Sequence, residues 1–237
     1  AKVSLVARDA FNGVVLWKRP ITQWHPHLWK LRSGPSQLPR RLVAVDQTVY
    51  VTLGIDAPLT ALDAATGRTL RTYEGTRATE EILYSDGVLL LVTGDQPFRQ
   101  PPDPKRFDYH WEESERHVMA VRADSGAVLW KKTFSWVAPL TLAADSRRVY
   151  FHDGDKVVGL DRTAGHTLWV SEPVARKKPL PSDYAPTLVV YGDVVLFTGG
   201  ENLVPHRGAD DTMTAFSAET GKTLFSEDDP ADAMYIL

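Results

Sequence analysis

The residues best suited to chemistry gather in two stretches. RPITQWHPHLWKLRSGPSQLPR, starting at Arg19, places Trp24, His25, His27 and Trp29 close together. Imidazoles two residues apart project from one side of an extended strand, a geometry that metals use. The flanking indoles offer flat amphipathic surfaces to a ligand, a sugar face or a peptide. No third ligand stands near His25 and His27, so the pair is a weak metal motif and packing within the loop is the alternative. The second stretch, GDQPFRQPPDPKRFDYHWEESERH from Gly94, contributes His110, Trp111, Glu112 and Glu113. Its charge equally suits a solvated excursion, and HWEESERH lacks the H-E-x-x-H spacing of a zinc site. Trp24, His25, His27, Trp29, His110 and Trp111 therefore form the candidate ligand-binding set, provided both stretches leave the scaffold on one side. Two smaller polar connections carry Arg176, Lys177 and Lys178, and His206 and Arg207. Three neighbouring charges are too few to assign an acidic partner.

Other chemistries have no foothold. The chain has no cysteine, which removes disulfides, thiolate metal sites and cysteine nucleophiles while leaving the redox compartment open. It carries no G-x-S-x-G elbow, no phosphate-binding G-x-x-x-x-G-K-[ST] loop and no dinucleotide fingerprint between strand and helix. A formal charge of −3, with acids and bases interleaved, makes no basic field for nucleic acid or an anionic membrane. No apolar run reaches the ~18 to 20 residues of a helical membrane span. No basic-then-apolar leader opens the sequence, so any signal peptide would lie ahead of Ala1. With 43% apolar and 24% charged residues over 237 positions, the composition is that of a globular chain with a sizeable core.

The elements that must position these residues repeat. VARDAFNGVVLW, TALDAATGRTLR, MAVRADSGAVLW, VGLDRTAGHTLW and MTAFSAETGKTLF share the frame A-x-D-x-x-T-G-x-x-x-W, with Gly13, Gly67, Gly126, Gly165 and Gly221 in register at intervals of 54, 59, 39 and 56 residues. Such a period suits a blade of about four strands with variable loops. Upstream of four copies stands a polar turn followed by an apolar strand: DQTVYV, SDGVLLLV, DSRRVYFH and YGDVVLFT. This pair of elements reads as one supersecondary unit.

The frame explains its own residues. Asp9, Asp63 and Asp161, with Thr66 and Thr220, supply side-chain partners for turn amides, and the glycines take a positive φ that other residues resist. Trp17, Trp130 and Trp169 then start the next strand, where an indole packs against a neighbouring blade with its N–H on a backbone carbonyl. Arg122 and Ser217 replace the aspartate, Ala164 the threonine, and Arg71 and Phe225 the tryptophan.

This frame resembles the tryptophan-docking motif of the pyrroloquinoline-quinone repeat, found in quinoprotein alcohol dehydrogenases and in the outer-membrane assembly lipoprotein propeller. The resemblance runs over nearly the whole chain. It implies an all-β fold, a β-propeller of four-stranded antiparallel blades, with residues 1–237 forming a single propeller region. Insertions at about 19–40 and 94–117 interrupt the repeats. Such propellers close at about seven or eight blades, so the expectation is part of a larger ring. Its dehydrogenase branch implies a quinone and a calcium ion in the central funnel, an aspartate base and commonly a vicinal disulfide. No cysteine is present, and Asp46, Asp63, Asp145 and Asp161 all fall at repeat turns, so no family catalytic residue is carried over.

The resemblance further implies export to the periplasm or cell surface. Three functions follow as expectations: a non-catalytic scaffold presenting loops to a protein, peptide or carbohydrate; part of a quinone- and calcium-dependent dehydrogenase; or a structural domain joined to a separate catalytic module. The first is the leading expectation, because it uses the insertions and needs no cofactor.

Overall fold

The computed structural model describes residues 4–21, 38–94, 113–176, 178–180, 186–199 and 211–229. Among them, β1 (Ser4–Arg8) and β2 (Val15–Pro20) form a two-stranded sheet. Four four-stranded sheets follow in chain order. The first is β3 (Leu42–Val45), β4 (Thr48–Thr52), β5 (Leu59–Asp63) and β6 (Thr69–Thr72); the second is β7 (Thr79–Ser85), β8 (Val88–Gly94), β9 (Arg116–Arg122) and β10 (Val128–Phe134). The third is β11 (Ala143–Ala144), β12 (Arg148–His152), β13 (Val157–Asp161) and β14 (Thr167–Val170); the fourth is β15 (Thr187–Tyr191), β16 (Val194–Thr198), β17 (Asp211–Ser217) and β18 (Thr223–Asp229). Every neighbour is antiparallel and consecutive in sequence. The all-β, four-stranded blades that the frames predict are thus the observed architecture. The described helical structure is one short 3-10 turn, Leu38–Arg41, and no described helix is long and apolar enough to cross a membrane.

The strands reach into both insertions. β2 continues to Pro20, and the Leu38–Arg41 turn closes the first connection. Gly94 pairs with Arg116 and Thr93 with His117, so the ladder claims both ends of the second. Satisfied backbone groups, rather than side-chain character, set these limits.

The repeated frame is the connection between the third and fourth strand of each blade. In all five copies the glycine amide donates to the carbonyl four residues earlier: Gly13 to Asp9, Gly67 to Asp63, Gly126 to Arg122, Gly165 to Asp161 and Gly221 to Ser217, at 2.8–2.9 Å. Each glycine has a φ between +69° and +80°, a region open to it because it lacks a Cβ. Where the aspartate is present its carboxylate adds to the turn. Asp63 Oδ1 accepts from the Thr66 amide at 2.8 Å and hydroxyl at 2.7 Å, and Asp161 Oδ1 accepts from Thr163 and Ala164. These donors, led by the threonine hydroxyls, hold both carboxyls below their ordinary range. The backbone turn survives with Arg122 or Ser217 in place of the acid, which is why the frame tolerates that erosion.

The core lies between successive sheets. Tyr50, Leu59, Tyr73, Leu89, Leu91 and Met119 fill the joint between the first two four-stranded blades. Leu90, Val118, Trp130, Leu142 and Phe151 fill the next, with Phe134 edge-on to Phe151 at 4.6 Å. Tyr150, Trp169, Phe197 and Phe216 fill the last. Face-to-face burial of this kind is what a sheet with two apolar sides requires.

Candidate binding face

An up-and-down antiparallel blade sends its connections alternately to two sides. On one side lie the hairpins β3–β4, β7–β8, β11–β12 and β15–β16 together with the five Asp-Thr-Gly-type turns. On the other lie every β2–β3, β6–β7, β10–β11 and β14–β15 crossing between blades, and the β4–β5, β8–β9, β12–β13 and β16–β17 connections within them.

The tight-turn side is occupied with holding the blades together. Trp17 Nε1 donates to the Ala64 carbonyl at 2.8 Å, Trp130 Nε1 to Arg162 at 2.8 Å and Trp169 Nε1 to Ala218 at 2.9 Å. In each case the acceptor directly follows the first residue of the next turn. Each indole also lies over that turn's glycine, so that a Cβ added at Gly67, Gly165 or Gly221 would meet ring carbons at 2.4–2.6 Å. Arg162, buried, donates to the Ser85 carbonyl at 2.7 Å and pairs with Asp86 at 3.3 Å. The turn carboxylates serve their own amides: Asp9 those of Phe11 and Asn12, and Asp145 those of Arg147 and Arg148.

A calcium-held quinone needs several carboxylate and carbonyl oxygens converging on one ion. The four candidate aspartates fall into two classes of turn, Asp46 and Asp145 in hairpins and Asp63 and Asp161 in the repeated frame. Among the described residues no group of three or more His, Asp or Glu side chains converges as a metal site. The described residues do not fit that cofactor.

The longest connections leave from the opposite side. Trp24, His25, His27, Trp29, His110 and Trp111 lie outside the described residues, as do Lys177, His206 and Arg207. Their anchors are described. Pro20 and Leu38 flank the first connection, Gly94 and Glu113 the second, Pro186 ends the third and Gly199 begins the fourth, all at this side of the sheets.

Between these anchors runs a buried polar network that joins blade to blade. Arg41, before β3, donates to the Ile55 carbonyl at 3.1 Å, and burial lowers its pKa against the opposing pull of Glu80 and Asp56. On β7, Glu80 pairs with Arg116 of β9 at 2.9 Å, and Glu81 accepts the Leu140 amide of the following blade at 2.6 Å. Arg176, from the basic linker, does not project as a steering charge. Its guanidinium stacks 4.3 Å from the Trp136 ring, donates to the Gly154 carbonyl at 2.8 Å and pairs with Glu113 at 2.8 Å. It thereby fixes the end of the second insertion to the β10–β11 and β14–β15 crossings.

His152 closes β12 in the same region. Gly154 N–H donates to its Nδ1 at 3.0 Å and its ring stacks on Phe197 at 4.5 Å. Burial pushes its pKa down to about 4, which keeps the imidazole neutral. Sequence reasoning missed this network because its members come from segments far apart in the chain, Arg41, Glu80–Glu81, Glu113–Arg116 and Arg176. The one local signal was Glu80–Glu81 inside the otherwise apolar TEEILYS strand, since alternation forces one of two adjacent residues inward.

Comparison with known proteins comes from sequence and from structure. No curated protein sequence matches the chain. Among solved structures, BamB from Moraxella catarrhalis is 16% identical with a TM-score of 0.59, over 95% of this chain and 58% of that one. Sqt1 from Saccharomyces cerevisiae is 11% identical with a TM-score of 0.58, over 95% of this chain and 55% of that one. The computationally designed Ika8 protein is 18% identical with a TM-score of 0.53, over 79% and 48%. The likeness is one of fold, and the chain spans about half the length of these structures. Residues 114–237, more than half of the chain, match the family model described as outer membrane protein assembly factor BamB. With the repeated frame and the blades, that match gives the assignment: the chain belongs to the BamB-type family of pyrroloquinoline-quinone-repeat β-propellers.

Proposed function

We propose that this chain is a non-catalytic binding platform in the bacterial envelope, periplasmic or surface-facing, and that the side bearing its irregular connections engages a protein or peptide. One observation carries this reading: the two sides of the blades are divided in role. On the tight-turn side, glycines, carboxylates and indoles are spent on turns and joints; Trp17, Trp130 and Trp169 dock successive blades into a rigid support. On the other side, the first insertion ends beside the buried Arg41, and the second starts and ends beside the ion pairs Glu80–Arg116 and Glu113–Arg176, which tie down its anchors. Loops raised on a rigid scaffold are where binding concentrates. The description of the matched family, an outer membrane protein assembly factor, favours a protein partner over a carbohydrate and an envelope location.

Site-specific photocrosslinking tests the reading. A benzophenone amino acid at Trp24 or Trp111 should trap one defined protein in the envelope. The same probe at Phe11 or Tyr191, which are 99% and 90% exposed on the tight-turn side, should not. Equal trapping from both sides, or trapping from Phe11 and Tyr191 alone, contradicts it.

A further inference from the structure

Glu81 is 2% exposed, on the edge strand β7 of the second blade. One carboxylate oxygen accepts the Leu140 amide across the joint between blades. Leu140 holds a φ of +61°. That left-handed conformation is strained for a leucine and persists only where its surroundings impose it. The other oxygen, Oε2, is buried with no hydrogen-bond partner among the described residues.

The charged groups around Glu81 come from few elements. The turn before β3 supplies Arg40 and Arg41 and β7 itself Glu80, while Asp56 of the β4–β5 connection and Arg116 of β9 act on Arg41 in turn. β3, β4 and β8, which also pack on β7, bring no charged side chain, and neither does the crossing at 135–142.

A buried carboxylate with one oxygen on a strained amide and the other unmatched has two workable states. Charged, it binds the amide strongly and attracts the arginines beside it. Protonated, it is no longer a charge in a dry site, but both attractions weaken. We propose that Glu81 is a proton-operated latch between the second and third blades, clamping the Leu140 turn and the Arg40–Arg41 turn when charged and loosening both when protonated. Burial pushes its carboxyl up to about 7, with Arg40 and the Leu140 amide pulling the other way. The latch therefore changes state near neutrality. It works on the anchors of the irregular side and does not depend on what that side binds.

NMR of the full chain reads both halves of the latch. Between about pH 5 and pH 9, the Glu81 side-chain carboxyl 13C shift and the Leu140 amide shift should titrate together with a shared midpoint near neutrality. In Glu81→Gln, which keeps the shape and one acceptor, the Leu140 shift should no longer move. A Leu140 amide indifferent to pH while Glu81 titrates, a Leu140 titration that survives in Glu81→Gln, or a Glu81 midpoint in the ordinary carboxyl range would each overturn the proposal. Should the glutamine variant not fold, co-titration in the wild type decides the matter.

Discussion

The Tyr73 hydroxyl donates to the Ala123 carbonyl at 2.5 Å, the position that in three other turns receives a tryptophan indole. Arg71 occupies the tryptophan's place in the frame, but the aromatic contact has moved two residues along the chain. Period-two alternation returns Tyr73 to the same side of the extended chain as residue 71, and the longer reach of a phenol replaces the indole N–H. Above Gly126 the nearest atoms to an added Cβ belong to Arg71 and Tyr73, at 3.5 Å.

Tyr73→Phe should therefore destabilise the fold by about 1 to 2 kcal/mol, because a partly buried carbonyl loses its donor. Arg71→Ala, at an exposed residue, should fall within about 0.5 kcal/mol of wild type. Urea unfolding of the two variants checks the contrast, and equal losses would remove the special role of the phenol.

Gly126 and Gly165 separate two costs. Both have positive φ, +80° and +71°, so alanine at either should cost roughly 1 to 2 kcal/mol in backbone strain. At Gly165 the new methyl also meets Trp130 Cδ2 at 2.6 Å, and displacing a packed indole should add about 1 to 3 kcal/mol. Gly165→Ala should thus melt well below Gly126→Ala, and a reversed order in calorimetry would show that the indole contact is loose.

Stability should depend on pH through two buried groups of opposite sign. Glu81 has its pKa raised from 4.5 to about 7, so within that window the folded state alone holds the proton, and stability falls as pH rises. His152 has its pKa lowered from 6.5 to about 4, so the unfolded state alone is protonated there, and stability falls as pH drops. Each group is worth roughly 3 kcal/mol across its window, and their slopes oppose where the windows overlap. Glu81→Gln should stabilise the protein at about pH 8 and expose the acid-side loss from His152. Unfolding curves at several pH values test this, and a glutamine variant weaker than wild type at alkaline pH would refute the buried-charge cost.

Arg176→Lys keeps the charge but loses the planar stacking over Trp136 and the fork that spans the Gly154 carbonyl and Glu113. The two cations are not interchangeable at such a site. A loss of about 1 to 2 kcal/mol is expected, with faster amide exchange at residues 113–115, which hydrogen-exchange mass spectrometry resolves.

How far the sequence could be read follows from the range of each interaction. The turns around Gly67 and Gly165 were legible because aspartate, threonine and glycine act within five residues. The indoles of Trp17, Trp130 and Trp169 were legible because the repeat supplies the partner. Tyr73 was not, since its role shows only when the next blade's Ala123 is in place. Glu81, Arg41, Asp56 and Arg116 come from four separate segments and make sense only after the blades assemble. Arg176 looked like surface charge in a basic run; burial against Trp136 depends on a crossing forty residues upstream. That both insertions are anchored on one side followed from the antiparallel strand order, which fixes what spacing alone left open.

On the proposed division, one side of the blades builds the platform while the other binds. That division is tested most directly by comparing Trp24→Ala/Trp111→Ala with Trp130→Ala for melting temperature and for photocrosslinking to the envelope partner through a probe at Arg77, an exposed residue of the β6–β7 crossing. The loop double variant should melt within a few degrees of wild type and lose the crosslink, whereas Trp130→Ala should lose about 3 to 5 kcal/mol of stability. A loop variant that unfolds as readily as Trp130→Ala, or that stays fully stable and keeps its crosslink, would contradict the division between the two sides.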